Sequence, residues 1–429
     1  MTRIQAFNES TLARHFTKED FYNDEFLLDD EYRRGVVEKA VQQADALFPD
    51  GVLYNSFQIG KKKSFSIWDL SQKLVFRTCA SHLRKSFRQQ NKSRSQIARE
   101  IRVFLLDGTP YNIYRLDIKS FFESIDGKEL KSCVGNLKGL SMHTRNILDK
   151  KMRFFRGEEE VSVPRGVETS AVLSEIYLTN FDRYVLSRRE VFFYSRFVDD
   201  LLIITSSSVD EKGFVDELKN ALPKGLLFNH EKEEVIKVGK RKKAGSLHND
   251  KIVGVFDYLG FRFSILDSVL PLVKNGDQEE ENSREATSSF RVVNVDISPR
   301  KVKRIKEKLC KAFFSFGKTG DYSLLKDRVR FLTTNRNFVK KDKSTVIPVG
   351  IYYNSSACDF PSKQLSHLDD FLRHLAFGSS SRLSKVYSSK LNNERRKEIV
   401  QFSFSYGFEN RVHKRFSFNR LSKIVEVWR

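Results

Sequence analysis

The chain has 429 residues, 40% of them hydrophobic, and its 76 Lys+Arg against 55 Asp+Glu give a formal net charge of +21. That length fills two or three domains with packed cores, while no apolar run approaches the ~18 residues of a membrane span and residues 1–30 lack a signal-peptide layout. Cys79, Cys133, Cys310 and Cys358 lie far apart with no CxxC pair, which argues against a zinc ribbon or a disulfide framework and for the cytoplasm; the positive excess points to a polyanionic partner, most often nucleic acid.

In chain order, residues 11–46 and 71–105 read as mainly helical. In the second stretch Leu74, Cys79, Leu83 and Phe87 recur at helical spacing, with Arg77, Arg84, Lys85 and Arg88 supplying charge. Tyr111 to Ile118 (YNIYRLDI) is β-like, Thr169 to Arg183 helix-like, and Val191 to Thr205 resembles a hairpin. Asp210 to Leu222 reads as a helix stopping before Pro223, Leu226 to Asn229 as a short strand, and Phe256 to Leu266 as a second hairpin. Lys240 to Asp250 and Lys274 to Ser289 are polar, charged loops or linkers. Ser298 and Pro299 suit the start of a helix whose apolar stripe is Val302, Ile305, Leu309 and Phe313. Its other face carries Lys301, Arg304, Lys308 and Lys311. The expected class is α+β with a helical, basic tail, divided as 1–110, 111–270 and 290–429.

The segment FFYSRFVDDLLIIT, Phe192 to Thr205, is the most informative. Asp199 and Asp200 sit between two apolar β-like runs that a sheet will bury. Two adjacent carboxylates near a low-dielectric interior repel each other and lose hydration, a cost that a divalent cation removes. The plain reading is an exposed hairpin turn, since Asp favours turns. Asp29-Asp30 and Asp369-Asp370 show that the dipeptide alone is weak evidence. A second β-like run ends in Asp117, within YRLDIKSFFESI, where a turn or helix cap is the plain reading. If both strands lie side by side, three carboxylates and substrate phosphates can hold two Mg²⁺ ions about 4 Å apart for in-line phosphoryl transfer.

With these segments in order, the chain resembles a reverse transcriptase over roughly residues 60–265. YRLDIKSFFESI resembles the first palm motif, and VPRGVETSAVLSEIYL (Val163 to Leu178) the second. FVDD (Phe197 to Asp200) matches the catalytic box usually written YxDD. FNHEK (Phe228 to Lys232) resembles the fourth motif, and FDYLGF (Phe256 to Phe261) the primer-grip hairpin.

The resemblance implies a right-hand polymerase of fingers, palm and thumb, with an antiparallel palm sheet and a helical C-terminal extension. Asp117, Asp199 and Asp200 are then the metal ligands. Phe122 is the steric gate that excludes a 2′-hydroxyl, against its plain reading as one of 37 phenylalanines. Pro164, Arg165 and Gly166 match a Pro-Gln-Gly turn beside the incoming nucleotide, Arg165 departing from the usual Gln; Ser170 matches a family Ser and Ala171 replaces a frequent Pro. Lys232 stands at the fourth motif's lysine, a proton donor to pyrophosphate or a solvated Lys among Glu231, Glu233 and Glu234. Tyr258, Leu259 and Gly260 would press on the primer end. Lys61 to Lys63, Arg77 and Arg94 are candidate upstream cations.

No ribonuclease H acidic quartet or Cys/His-rich endonuclease module follows the palm motifs. FVDD, Ala171 and GIYYNSS (Gly350 to Ser356) are similar to the bacterial abortive-infection and unknown-group lineage, which serves antiphage defence. The nearest wording is that of the smaller polymerase of two-polymerase systems. That implies dNTP substrates, a DNA product, an RNA template such as a dedicated non-coding RNA, and a second reverse transcriptase as partner. Two other functions stay open: template-independent or protein-primed DNA synthesis by the same site, and a non-catalytic nucleic-acid-binding scaffold. Segments 401–408 and 411–418 interleave aromatics with basic residues, for base stacking or plain core packing. Residues 61–105 carry 12 Lys+Arg against 2 Asp+Glu, and 301–429 carry 28 against 11, whereas 106–300 carry 30 against 31. The expected picture is a near-neutral palm between basic fingers and thumb that hold nucleic acid from two sides.

Overall fold

Tyr111–Asp117 is apolar at most positions, and the strand it forms is buried almost throughout. It is an inner strand of a four-stranded sheet whose order is Val191–Phe197, Asp200–Ser206, Tyr111–Asp117 and Glu234–Val238. The structure, a computed structural model, describes residues 5–60, 62–87, 92–241, 251–269, 290–339, 346–379 and 381–428. The predicted loop at Lys274 to Ser289 lies outside the described residues, as do 242–250 of the other loop.

The chain divides into two compact units, Met1–Asn91 with Asn112–Ile236, and Lys92–Tyr111 with Lys237–Arg429. In the first unit, helices Leu70–Phe87, Met142–Glu159 and Ser170–Tyr177 share one core with the sheet, including Leu74, Phe76, Phe155, Leu173, Leu201 and Ile203. An antiparallel hairpin, Tyr54–Ile59 with Lys62–Ile67, belongs to the same unit. The helical stretch 71–105 is two helices, and the second, Arg94–Leu105, is capped by Ser93 and counts with the other unit.

The second unit has an antiparallel three-stranded sheet, Ile252–Tyr258, Phe261–Val269 and Arg291–Ile297. Ile297 shares one core with residues of several helices, among them Leu309, Phe313 and Phe316 of Pro299–Thr319 and Leu365, Leu368 and Leu372 of Lys363–Phe377. Ser298 and Pro299 do open the predicted helix, although the Ser298 hydroxyl closes no cap bond. Phe404 and Phe408 are buried in this core, as core packing expects, while Tyr406 and most of 411–417 are not. Lys301 does not extend the basic stripe into solvent: its Nζ donates to the Asn354 carbonyl (2.6 Å) and the Ser355 hydroxyl (2.8 Å).

Two predicted elements differ. The helix over Thr169 to Arg183 is two helices, Ser170–Tyr177 and Thr179–Ser187. The Thr179 hydroxyl donates to the Glu175 carbonyl (3.2 Å), a back-bond that often bends helices. Leu226 to Asn229 is not a strand but a single bridge, Phe228 to Ile118, confined between Gly225 at φ +88° and a 3₁₀ turn at His230–Lys232.

Candidate active site

Phe197 pairs with Asp200, so the hairpin loop is Val198 and Asp199 alone. Two-residue loops need backbone of unusual hand, and Val198 has φ +62°. A β-branched residue there costs roughly 1–3 kcal/mol and persists only when its surroundings impose it. Three contacts do so. The Ile118 amide donates to the Asp199 carbonyl (2.9 Å), Val198 packs on the core, and Arg196 Nη1 donates to the Val198 carbonyl (3.2 Å).

The loop therefore lies beside Asp117, which is 7% exposed. Lys232 Nζ lies 2.8 and 2.9 Å from the two Asp117 carboxylate oxygens. Asn229 adds its backbone amide to the Asp117 carbonyl (2.7 Å) and its Nδ2 to Oδ2 (3.4 Å). Burial, then the charges of Asp199 and Asp117, push Asp200 up to about 6, with Lys232 acting the other way. The sheet and the turn at His230–Lys232 thus bring together Asp117, Asp199, Asp200 and Lys232, and Lys232 pairs with Asp117 while most of its side chain stays exposed. The other two Asp pairs are structural: Asp29 caps a helix through the Tyr32 amide, and Asp369 accepts from Ser403 and from the Phe404 amide.

Among the described residues no group of three His, Cys, Asp or Glu forms a ready-made metal cage. Mg²⁺ seldom uses one: it keeps several waters and takes one or two carboxylates plus substrate phosphates. Hard carboxylate oxygens whose charges oppose one another suit that ion.

Raising a carboxyl pKa has a sign that can be checked in the metal-free protein. Folded Asp200 holds its proton more tightly than the unfolded chain, so stability falls as pH rises from about 4 through about 6. Asp200→Asn should melt above the wild type at pH 7, the gap closing towards pH 4. Thermal melts at both pH values in chelator check this; a gap that does not shrink on acidification contradicts it.

After Asp117 the chain turns sharply, with Ser120 at φ +47° and the Ser124 amide donating to the Ser120 carbonyl (3.0 Å). This sets Phe122 half-buried against Phe121, ring centroids 5.5 Å apart. Above it lies Arg165, its guanidinium carbon 4.8 Å from the Phe122 ring centre. The Arg165 carbonyl accepts the Phe65 amide (2.7 Å), and Gly166 sits at φ +95° with the Phe65 carbonyl oxygen 2.4 Å from where a Cβ would stand. Only glycine fits there. The Ser170 hydroxyl ties the turn by donating to the Pro164 carbonyl (2.6 Å).

Beside this turn is a cavity of about 180 Å³ whose lining includes Lys62, Lys63, Ser120, Glu123, Glu159 and Arg165. Lys63 pairs with Glu159. Arg77 is committed elsewhere, to buried Asp20 (2.6 and 3.1 Å), and Lys61 lies outside the described residues. Tyr258, Leu259 and Gly260 form the predicted hairpin turn in the second unit, with Leu259 at φ +51° and Gly260 at φ +86°. Arg94 also belongs to that unit.

Sequence reasoning missed Arg196. Its side chain is 4% exposed and held between Glu175 (2.8 and 3.1 Å) and Asp182 (2.7 and 2.8 Å). Burial opposes its charge, but the Asp182 hydrogen bond and the two carboxylate charges outweigh that and raise its pKa. A lone cation inside FFYSRF was the signal; its two acids stand on two successive helices. Lys151 was also missed. It is wholly buried, brought down to about 7 by burial, and donates to Thr169 Oγ1 (2.7 Å) close behind the 164–166 turn. It interrupts the buried Ile147–Phe155 stripe at a spacing of four residues.

No curated protein sequence matches the chain significantly. Among solved structures, apo telomerase from Candida tropicalis is 14% identical, with TM-score 0.37 over 88% of this chain and 65% of that one. Telomerase from the same organism in complex with a TWJ fragment of telomeric RNA is 14% identical, with TM-score 0.35 over 92% and 65%. The corresponding Candida albicans complex is 13% identical, with TM-score 0.33 over 94% and 57%. The chain spans less than two thirds of each of these proteins, and likeness this slight carries no argument here. Residues 56–263, however, match the family described as reverse transcriptase (RNA-dependent DNA polymerase). That span holds Asp117, Phe122, the Arg165–Gly166 turn, Asp199, Asp200 and Lys232 in their expected order, and it is a reverse transcriptase domain.

Proposed function

We propose that the chain is an RNA-directed DNA polymerase that extends a primer with deoxynucleotides, using Asp117, Asp199 and Asp200 as ligands for two Mg²⁺ ions. The observation that carries this reading is the convergence of three carboxylates at the ends of neighbouring strands and the loop between two of them, one of them held at a raised pKa by burial and by the charges of the others, inside a reverse transcriptase domain. Mg²⁺ bound there would neutralise the triphosphate and favour ionisation of the primer hydroxyl.

The chain's own residues position and select. Phe122 sets its ring beneath the sugar, where a 2′-hydroxyl would collide. Gly166 lets backbone approach the nucleotide without a Cβ between them. Lys62 and Lys63 line the neighbouring cavity and offer charge to the triphosphate. Lys232, on Asp117, is placed to give a proton to pyrophosphate. The turn Tyr258 to Gly260 serves as primer grip.

A cytoplasmic role in bacterial antiphage defence, with a dedicated non-coding RNA and a second reverse transcriptase, is the finer reading. Its support is the wording of FVDD, Ala171 and GIYYNSS together with the +21 charge. No helix among the described residues is long and apolar enough to cross a membrane.

The test is extension of a primer on RNA of defined sequence with dNTPs and Mg²⁺. DNA complementary to the RNA is expected. DNA whose sequence ignores the RNA would favour untemplated synthesis, and the absence of any incorporation would overturn the proposal.

A further inference from the structure

We infer that Arg165 is a positioning residue for sugar selection, acting by holding Phe122 in place. The inference rests on Phe122 being the gate proposed above, and it gives a purpose to the residue that departs from the family's Gln.

A gate works only if its ring cannot rotate or retreat. Phe122 is half-buried, with Phe121 tilted against it at 48° and, among the described residues, no other phenylalanine ring packed on it. The ring's support from the turn side is the Arg165 guanidinium at 4.8 Å. That group is itself fixed. Its backbone is locked to the strand Lys62–Ile67 through the Phe65 amide, and Gly166 beside it rests against the same strand. Its Nη2 reaches Glu123 Oε1 at 3.4 Å, while its Nε is buried without a hydrogen-bond partner. With so few hydrogen bonds, the ring contact and Glu123 are what hold the guanidinium where it lies.

A cation over a ring face is attracted by the ring quadrupole, and more strongly when water is kept out. Gln cannot supply that attraction, so a Gln at this turn leaves a gate to its other neighbours. In this chain the attraction also joins two separate motifs: the loop after Asp117, which carries the gate, and the turn that faces the nucleotide. Any change at Arg165 should therefore be read in the sugar, not only in overall rate.

The experiment compares dATP with ATP incorporation by the full chain on one primer–template, as the ratio of the two kcat/KM values. Arg165→Ala and Arg165→Gln should each lower the deoxy preference about tenfold, the scale of a desolvated cation–π contact. Arg165→Lys, which keeps a cation over the ring, should retain most of it. Phe122→Val should lower the preference further, and adding Arg165→Ala to it should change little more. If Arg165→Ala proves inactive, the Gln and Lys variants carry the comparison. An unchanged ratio in the Arg165 variants, with a lowered ratio in Phe122→Val, overturns the inference and leaves the gate standing. An unchanged ratio in Phe122→Val removes the gate and the inference with it. No nucleotide incorporation by the wild type is instead the failure of the polymerase reading.

Discussion

Asp199→Ala should reduce dNTP incorporation by at least about a thousandfold, the loss of several kcal/mol of charge stabilisation. It should do so without lowering the melting temperature. The two effects separate because of where Asp199 sits. Its structural duty is carried by its backbone carbonyl, which accepts the Ile118 amide at 2.9 Å, and alanine keeps that bond. Its side chain, by contrast, adds to the repulsion that raises Asp200. Removing it relieves strain in the metal-free fold while taking away one ligand. Melts and primer extension on the same preparation check both halves. Retained incorporation by a folded Asp199→Ala protein would show that the Asp199 carboxylate is not a ligand the reaction needs.

Arg196→Ala should do the reverse, losing activity because the fold is lost around the site. Cutting a buried ion pair costs about 3–5 kcal/mol, since it leaves charge without its counterion. Here two carboxylates, Glu175 and Asp182, are left, and the Val198 carbonyl loses a donor. For a unit of this size the melting temperature should drop by on the order of 10 °C. Arg196→Lys should recover only part of that, because one ammonium cannot bridge two carboxylates and a carbonyl in a planar fork. Release of the strained Val198 loop should cost activity even below the melting transition. A variant that melts within about 2 °C of wild type would show that the clamp does not support the loop.

The site's acids were legible because their signal is local. FVDD between apolar runs fixes a two-residue turn, and RLDI ends a strand with an acid, so a shared sheet is the economical arrangement. Their supports were not legible, because these depend on distant chain. Asn229 and Lys232 reach Asp117 across more than a hundred residues. Arg196 looked like one charge in a strand until its two acids came from a different helix pair. The same non-local packing groups Arg94–Leu105 with the C-terminal half rather than with the helix preceding it. Nor does sequence reveal that Lys301 turns away from the basic stripe to bind Asn354 and Ser355. Arg165 was noticed as a departure, but its partner was visible only once the 164–166 turn lay on the strand Lys62–Ile67.

The central claim is that Asp117, Asp199 and Asp200 form one divalent-metal site. Its most direct measurement is Mn²⁺ binding followed by electron paramagnetic resonance, with primer, RNA template and a dNTP present. Wild type should bind the ion, and Asp117→Asn, Asp199→Asn and Asp200→Asn should each weaken binding by at least about tenfold. Binding unchanged in all three folded variants would contradict the account.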